Sequence, residues 1–367
     1  MSAAVVDDLI IEVNGQRVQG WESVRVTRGI ERVPADFEIR MTERFPGELA
    51  PMVINAGDAC VVYLGADRVI TGYVDAVMPA IRGNTHEVMV RGRSKSADLV
   101  DCAAEWPGGQ IQGTSALDVT KKLAAPYGVT VRALTEDLGP QIPQFTLILG
   151  ETAFEIIERT CRYARLLAYD DTNGDLLLNQ VSETRAASGF EEGVNVEDAS
   201  AMQRMDMRYS EYVAYLVSID NFNDFAQTQD LGDPNQLQVV ADVGVPRYRR
   251  MVLIAEAVSE GDIVVRERAF WEAARRKGRA RPVHITTDSW RDKSGALYTP
   301  NTQATVHLPT LKVVNETMTI SEVTYLRDET GTHASIVLMP PDTFIPAPVV
   351  LYKFGLQEIM PGSPVSS

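Results

Sequence analysis

Cys60-Val61-Val62-Tyr63-Leu64, then Val69-Ile70-Thr71-Gly72-Tyr73-Val74-Asp75-Ala76-Val77, then His86-Glu87-Val88-Met89-Val90-Arg91 after a Gly83-Asn84 turn, is the stretch whose reading decides the fold. Each piece is short, rich in β-branched and aromatic residues, and bounded by Gly, Asp or Asn, which is the pattern of a strand meander. Gly72 falls inside the second piece, where a bend or bulge is natural. Upstream, Val24 and Val26 alternate with polar or charged neighbours, and Phe37, Ile39 and Met41 alternate with Glu38 and Arg40. That period of two belongs to strands with one buried face. Short strands joined by Gly, Pro and Asn turns predict a small barrel or sandwich over residues 1–98.

The same order of pieces returns near the C-terminus. Residues 304–308, 318–325 and 331–338 follow one another as 60–64, 69–77 and 83–90 do. Leu64 to His86 spans 22 residues and Leu308 to His333 spans 25. Matching strand order and spacing predict two copies of one β unit, the second lying in 205–345 with strands also at 212–219 and 283–287.

Between the copies the periodicity changes. Ser115-Ala116-Leu117-Asp118 opens a helix that stops at Pro126 and Gly128. Thr152-Ala153-Phe154-Glu155 is a capping box, followed by Phe154, Ile157, Cys161 and Ala164 at helical spacing. A hairpin turning through Asp171-Thr172-Asn173-Gly174 comes next, so residues 99–204 read as a small α+β unit. A polar stretch at 220–238 reads as a surface loop, and a further helix is predicted at about 262–278 with Ala269, Phe270, Ala273 and Ala274 towards a core. From 346 the chain is Pro-rich and is expected to run extended. The predicted fold class is thus mainly β with α+β: two β-barrels, a small α+β domain and an additional helix.

The chain has 367 residues, 45% of them hydrophobic, and a net charge of −15. That length supports several cored domains, and the acidity opposes adhesion to phosphate backbones or anionic lipid. No signal peptide and no membrane anchor are read from the sequence. Cys60, Cys102 and Cys161 are scattered, with no CxxC, and fit buried thiols.

Chemistry-bearing patterns are scarce. His86, His284, His307 and His333 lie in or beside strands without a ligand spacing, and no nucleophile elbow, Walker loop or dinucleotide fingerprint is present. Asp171, Asn173 and Asp175 resemble part of a calcium loop but lack its spaced Gly and terminal Glu, which favours a plain hairpin turn. No catalytic residue, cofactor or metal site is assigned. The one strongly basic feature holds Arg266, Arg268, Arg275, Arg276, Lys277, Arg279 and Arg281 against Glu267 and Glu272. It is a candidate contact patch for an acidic neighbouring subunit or partner protein, since complementary charge sets register between assembled chains.

Taken in order, several segments resemble the baseplate hub family of contractile-tailed phages, in its Mu-like branch. They are Trp21-Glu22-Ser23-Val24-Arg25-Val26-Thr27-Arg28-Gly29-Ile30-Glu31, Thr71-Gly72-Tyr73-Val74-Asp75, Gly92-Arg93-Ser94-Lys95, Gly150-Glu151-Thr152-Ala153-Phe154-Glu155, Asp288-Ser289-Trp290 and Leu338-Met339-Pro340-Pro341-Asp342-Thr343-Phe344. The resemblance implies a structural protein of the virion tail baseplate, assembled in the host cytoplasm. It implies a homotrimer whose six barrels form a pseudo-six-fold ring between the six-fold tail tube protein and a separate three-fold spike protein, among other baseplate proteins. DNA would pass through the ring without specific binding, helped by acidic walls. A baseplate-associated peptidoglycan hydrolase and a receptor-binding tail protein are the alternatives. The first requires a pocket holding two carboxylates with perturbed pKa values, the second an exposed aromatic platform.

Overall fold

A computed structural model describes residues 8–42, 54–83, 85–106, 108–142, 145–217, 237–256 and 261–345. Most of the predicted polar loop (220–236) and the Pro-rich tail from 346 lie outside the described residues. The first region holds β1 (Leu9–Val13), β2 (Gln16–Val18), β3 (Ser23–Gly29), β4 (Asp36–Thr42), β5 (Ala59–Leu64), β6 (Asp67–Arg82) and β7 (Thr85–Ser94). The α+β part follows with α1 (Ala97–Asp101), β8 (Gln110–Ile111), α2 (Ala116–Ala124), β9 (Val131–Ala133), β10 (Phe145–Thr146), α3 (Ala153–Tyr163), β11 (Leu167–Asp170) and β12 (Leu176–Asn179). After β13 (Phe190–Glu191) and β14 (Asp198–Ala201) come β15 (Glu211–Val217), β16 (Leu237–Ala241), β17 (Arg250–Glu256) and α4 (Gly261–Arg279). The last strands are β18 (Val283–Thr287), β19 (Gln303–Leu308), β20 (Val313–Asp328) and β21 (Gly331–Met339).

The mainly β class with a small α+β unit is what the chain adopts. The two β regions are not separate, however. One sheet of 13 strands runs β14-β18-β21-β20-β3-β4-β7-β6-β5-β1-β2, with β19 on β20 and β13 on β19. The join is antiparallel pairing of β20 with β3, from Glu322↔Gly29 to Arg327↔Val24. Both bury side chains in one shared core that includes Val26, Phe37, Val62, Trp290, Tyr325 and Ile336.

Within that sheet the duplication is explicit. Strands β3, β4, β5, β6 and β7 pair in the order β5-β6-β7-β4-β3, and β14, β18, β19, β20 and β21 pair as β19-β20-β21-β18-β14. β6 and β20 are both 16 residues long. Each is bulged midway, between Val74 and Ala76 against β7 and between Ile320 and Glu322 against β21. Backbone bonds at the bulges repeat as well. Gly57 N donates to Val74 O and Val74 N to Asp58 O, as Asn301 N donates to Ile320 O and Ile320 N to Thr302 O. A bulge at the same place in both long strands lets each turn from one partner strand to another.

The α+β unit has its own core of Leu99, Val119, Leu123, Ile156, Ile157, Leu176 and Leu178. The predicted capping box forms: Glu155 N donates to Thr152 Oγ1 and Thr152 N to Glu155 Oε2. Asp171 accepts the amides of Asn173 and Asp175, so the acidic cluster is a turn, and it docks on the first region through Arg68–Asn173, Thr71–Thr172 and Lys95–Asp175.

Candidate subunit-interaction surface

α4 occupies the predicted span and packs on a three-stranded sheet. Ala269 is buried with Ala214 and Leu253 against the three-stranded sheet β16-β15-β17. The expectation that Phe270 also points to a core is corrected: it is 51% exposed, since the helix turns it away from that sheet.

The basic residues of α4 are placed as follows. Arg268 and Arg275 flank the Trp271 ring at 5.1 and 5.2 Å, and the Trp271 indole donates to Ile345 O. Arg276 pairs with Glu272, donates to Met207 O and lies 5.4 Å from the Tyr209 ring. Arg279 reaches both oxygens of Glu31 in the first region, and Arg281 pairs with Glu316 on β20 at 2.7 Å. Lys277 is exposed, and the Arg266 side chain lies outside what is described. Much of the patch therefore pins α4 to both β regions. Such half-exposed pairs contribute little individually. Burial, and then the Arg279 charge, pull the Arg275 guanidinium below its ordinary value.

Among the described residues the titratable groups do not assemble into a reaction centre. Asp170 is the one described carboxyl held above its ordinary value: burial raises it, opposed by bonds from Ser94, Ala35 and Ser96 and by the Arg28 charge. Its Oδ2 accepts from Ala35 N at 2.8 Å and Ser96 Oγ at 2.9 Å, so it ties the α+β unit to the first region. Glu38, Asp101, Asp292 and Asp328 are shifted the other way. A glycosidase-type acid needs a raised carboxyl facing a substrate and a second carboxylate across from it; Asp170 instead faces backbone and hydroxyl donors. Among the described residues no group of three or more His, Cys, Asp or Glu is placed to hold a metal. His333 Nδ1 meets Glu197 at 2.6 Å. The three cysteines are free, with Cys60 and Cys161 buried and their thiols pushed up to about 12 by burial. No described helix is long and apolar enough to cross a membrane.

Sequence reasoning missed two strand edges. Past its bulge β6 has β7 on one side and, among the described residues, no strand on the other; β14 has only β18. Ile81 on that stretch of β6 is 79% exposed, and Met202 just past β14 is 47% exposed. Pro79 was the available signal, because proline inside a strand marks an edge.

Three family models match the chain: "Mu phage baseplate assembly protein GpP-like, N-terminal" over residues 8–94, "Baseplate hub protein gp44-like, second domain" over 96–180 and "Mu phage baseplate assembly protein GpP, fourth domain" over 262–347. The baseplate hub protein gp44 of Escherichia phage Mu is 29% identical over 339 residues, 91% of this chain and 88% of its own. The 43 kDa tail protein of prophage MuSo2 from Shewanella oneidensis superposes with a TM-score of 0.81 at 28% identity, covering 92% of this chain and 99% of that one. A tail protein from Neisseria meningitidis MC58 shares the fold with a TM-score of 0.75 at 18% identity, over 92% and 98% of the two chains. The chain belongs to the baseplate hub family of Mu-like contractile-tailed phages, and is a structural protein of the virion tail baseplate, not an enzyme.

Proposed function

We propose that the hub works as a homotrimeric, pseudo-six-fold ring that joins the six-fold tail tube to the three-fold spike and leaves a channel for DNA. The observation that carries this reading is the repeated β unit, present twice in one chain with the same strand order and joined edge to edge. Three such chains supply six equivalent units, which is what a junction between six-fold and three-fold partners needs. A net charge of −15 per chain favours passage of duplex DNA over its retention. The tail tube protein, the spike and other baseplate proteins are the proposed partners. The division into 1–98, 99–204 and 205–345 with a tail from 346 belongs to the same proposal, with β13 and β14 adding to the second unit's sheet. The face of α4 that presents Lys277 and Phe270 is the proposed contact for an acidic partner surface.

Mass in solution combined with negative-stain imaging tests the ring. Three copies around a central hole are expected. A monomer at high concentration, or a trimer without a hole, overturns it.

A further inference from the structure

Arg268, Trp271, Arg275 and Arg279 stand three or four residues apart along α4, so they share one face of the helix. It is a different face from the one that carries Phe270 and Lys277. It lines a cleft of about 600 Å3 shared with α3 and the single helical turn Pro341–Phe344. Phe154, Leu166 and Phe344 give the cleft apolar walls, and Glu31, Glu158 and Arg162 add to its charges.

The carboxylates of this cleft are already engaged. Arg162 pairs with Glu158 at 2.7 Å, and Arg279 takes both oxygens of Glu31. Glu272 is held by Arg276, which does not line the cleft. Arg275 has the Trp271 ring at 5.2 Å and, among the described residues, no carboxylate within ion-pair distance. The charges that reach it are the like charges of Arg279 and Arg162 and the already paired Glu31 and Glu272. A guanidinium has five donors and no acceptor capacity of its own. Half-buried between cations, and screened less than an exposed charge, this one favours an anion. The apolar walls favour an anion with apolar neighbours.

The chain itself carries such a group where it leaves the cleft. Ile345 lines the rim, and its carbonyl accepts the Trp271 indole N–H. Residues 346–367 follow, outside the described residues, and their sequence holds a single carboxylate side chain, Glu358. Leu356, Ile359 and Met360 surround it in sequence, and Val349-Val350-Leu351-Tyr352 and Phe354 precede it. Most of 349–360 is thus apolar and gains by being covered. Glu358 follows Ile345 by 13 residues. A chain of that length spans up to about 40 Å, far more than a cleft of this volume requires. A short tether also holds its end at an effective concentration on the order of millimolar.

We propose that residues 356–360 fold back onto their own chain, seating the Glu358 carboxylate on the Arg275 guanidinium and the apolar neighbours of Glu358 against Phe154, Leu166 and Phe344. One contact then supplies the acceptor that Arg275 lacks and covers part of an apolar run that promotes non-specific association when exposed. The contact lies within a single chain, so it stands or falls independently of the ring.

Hydrogen exchange of the full chain, read by mass spectrometry, tests this. Amides of 356–360 are expected to exchange about tenfold more slowly in wild type than in Arg275→Gln or Glu358→Gln, the effect of one charge-assisted contact. Exchange across α3 and α4 reports whether the surrounding fold is intact, and Glu358→Gln decides alone if Arg275→Gln disturbs it. Reversing the pair in one chain, Arg275→Glu with Glu358→Arg, should restore the protection. An equimolar mixture of the two single reversals should not. Restoration in the mixture assigns the cleft to the tail of a second copy and overturns docking within the chain. Tail amides that exchange at random-coil rates in wild type, or protection that ignores both Gln variants, overturn the site altogether.

Discussion

At the scale of single residues, Asp170 has the most specific burden. Its carboxylate satisfies the Ala35 amide and the Ser96 hydroxyl inside the protein. Removing an acceptor strands both donors, so Asp170→Ala is expected to cost about 1–3 kcal/mol, read from chemical unfolding. Because burial raises its folded pKa above the unfolded value, its protonation contributes stability that is fully present below about 3.8 and lost as pH rises through the folded pKa. Asp170→Asn, which keeps an acceptor and carries no charge, should therefore gain on wild type as pH rises from 3 towards neutrality. A Tm difference that does not move with pH contradicts this assignment. The sequence held part of this reading. Asp170 and Asp171 are adjacent beside a turn, but only the fold separates a buried acceptor from a neighbour paired with Arg132.

At the scale of elements, local signals and close contacts divide the work. The Thr152–Glu155 box was legible because capping needs only a hydroxyl and a carboxylate three residues apart. Thr152→Ala should cost about 1 kcal/mol, measured as a shift in the denaturant midpoint without a change in slope. Gly72 was read as a bend, and the structure supplies a different reason. A Cβ there would meet Arg93 O at 1.9 Å and Ser94 Cα at 2.7 Å, both backbone atoms of β7. Gly72→Ala must pry β6 from β7, and about 1–3 kcal/mol of destabilisation is expected for such overpacking. A neutral result in thermal unfolding sinks this account. The basic run of α4 was equally plain in sequence, yet where its charges go was not. Arg279–Glu31 and Arg281–Glu316 join residues 248 and 35 positions apart.

At the scale of the whole molecule, the joined sheet sets what assembly should respond to. Ile81 is exposed in the single chain, so Ile81→Asp should leave the chain's own unfolding within about 0.5 kcal/mol of wild type while abolishing multimers in sedimentation. If multimers persist, the open end of β6 is not the contact. Each copy carries −15, so like-charge repulsion opposes association. Raising salt to about 0.15 M, where the Debye length is about 8 Å, should strengthen assembly or leave it unchanged. Weakening with salt would instead assign the contact to charged pairs such as those of α4.

Sequence alone determined the class of this protein: the period-two strands, the repeated order of 60–90 and 304–338, the capped helices and the ordered family motifs are all local patterns, written within a few residues of one another. Tertiary structure alone decided that the two β regions share one core and one sheet. It also decided that Glu31 and Glu316 answer the basic helix, and that, among the described residues, β14 and the end of β6 have no strand on their second side. Those outcomes depend on which distant edges meet, and an unpaired edge has the same alternating sequence as a paired one. Its only trace was Pro79, a residue whose missing N–H means little until the neighbouring strand is known to be absent.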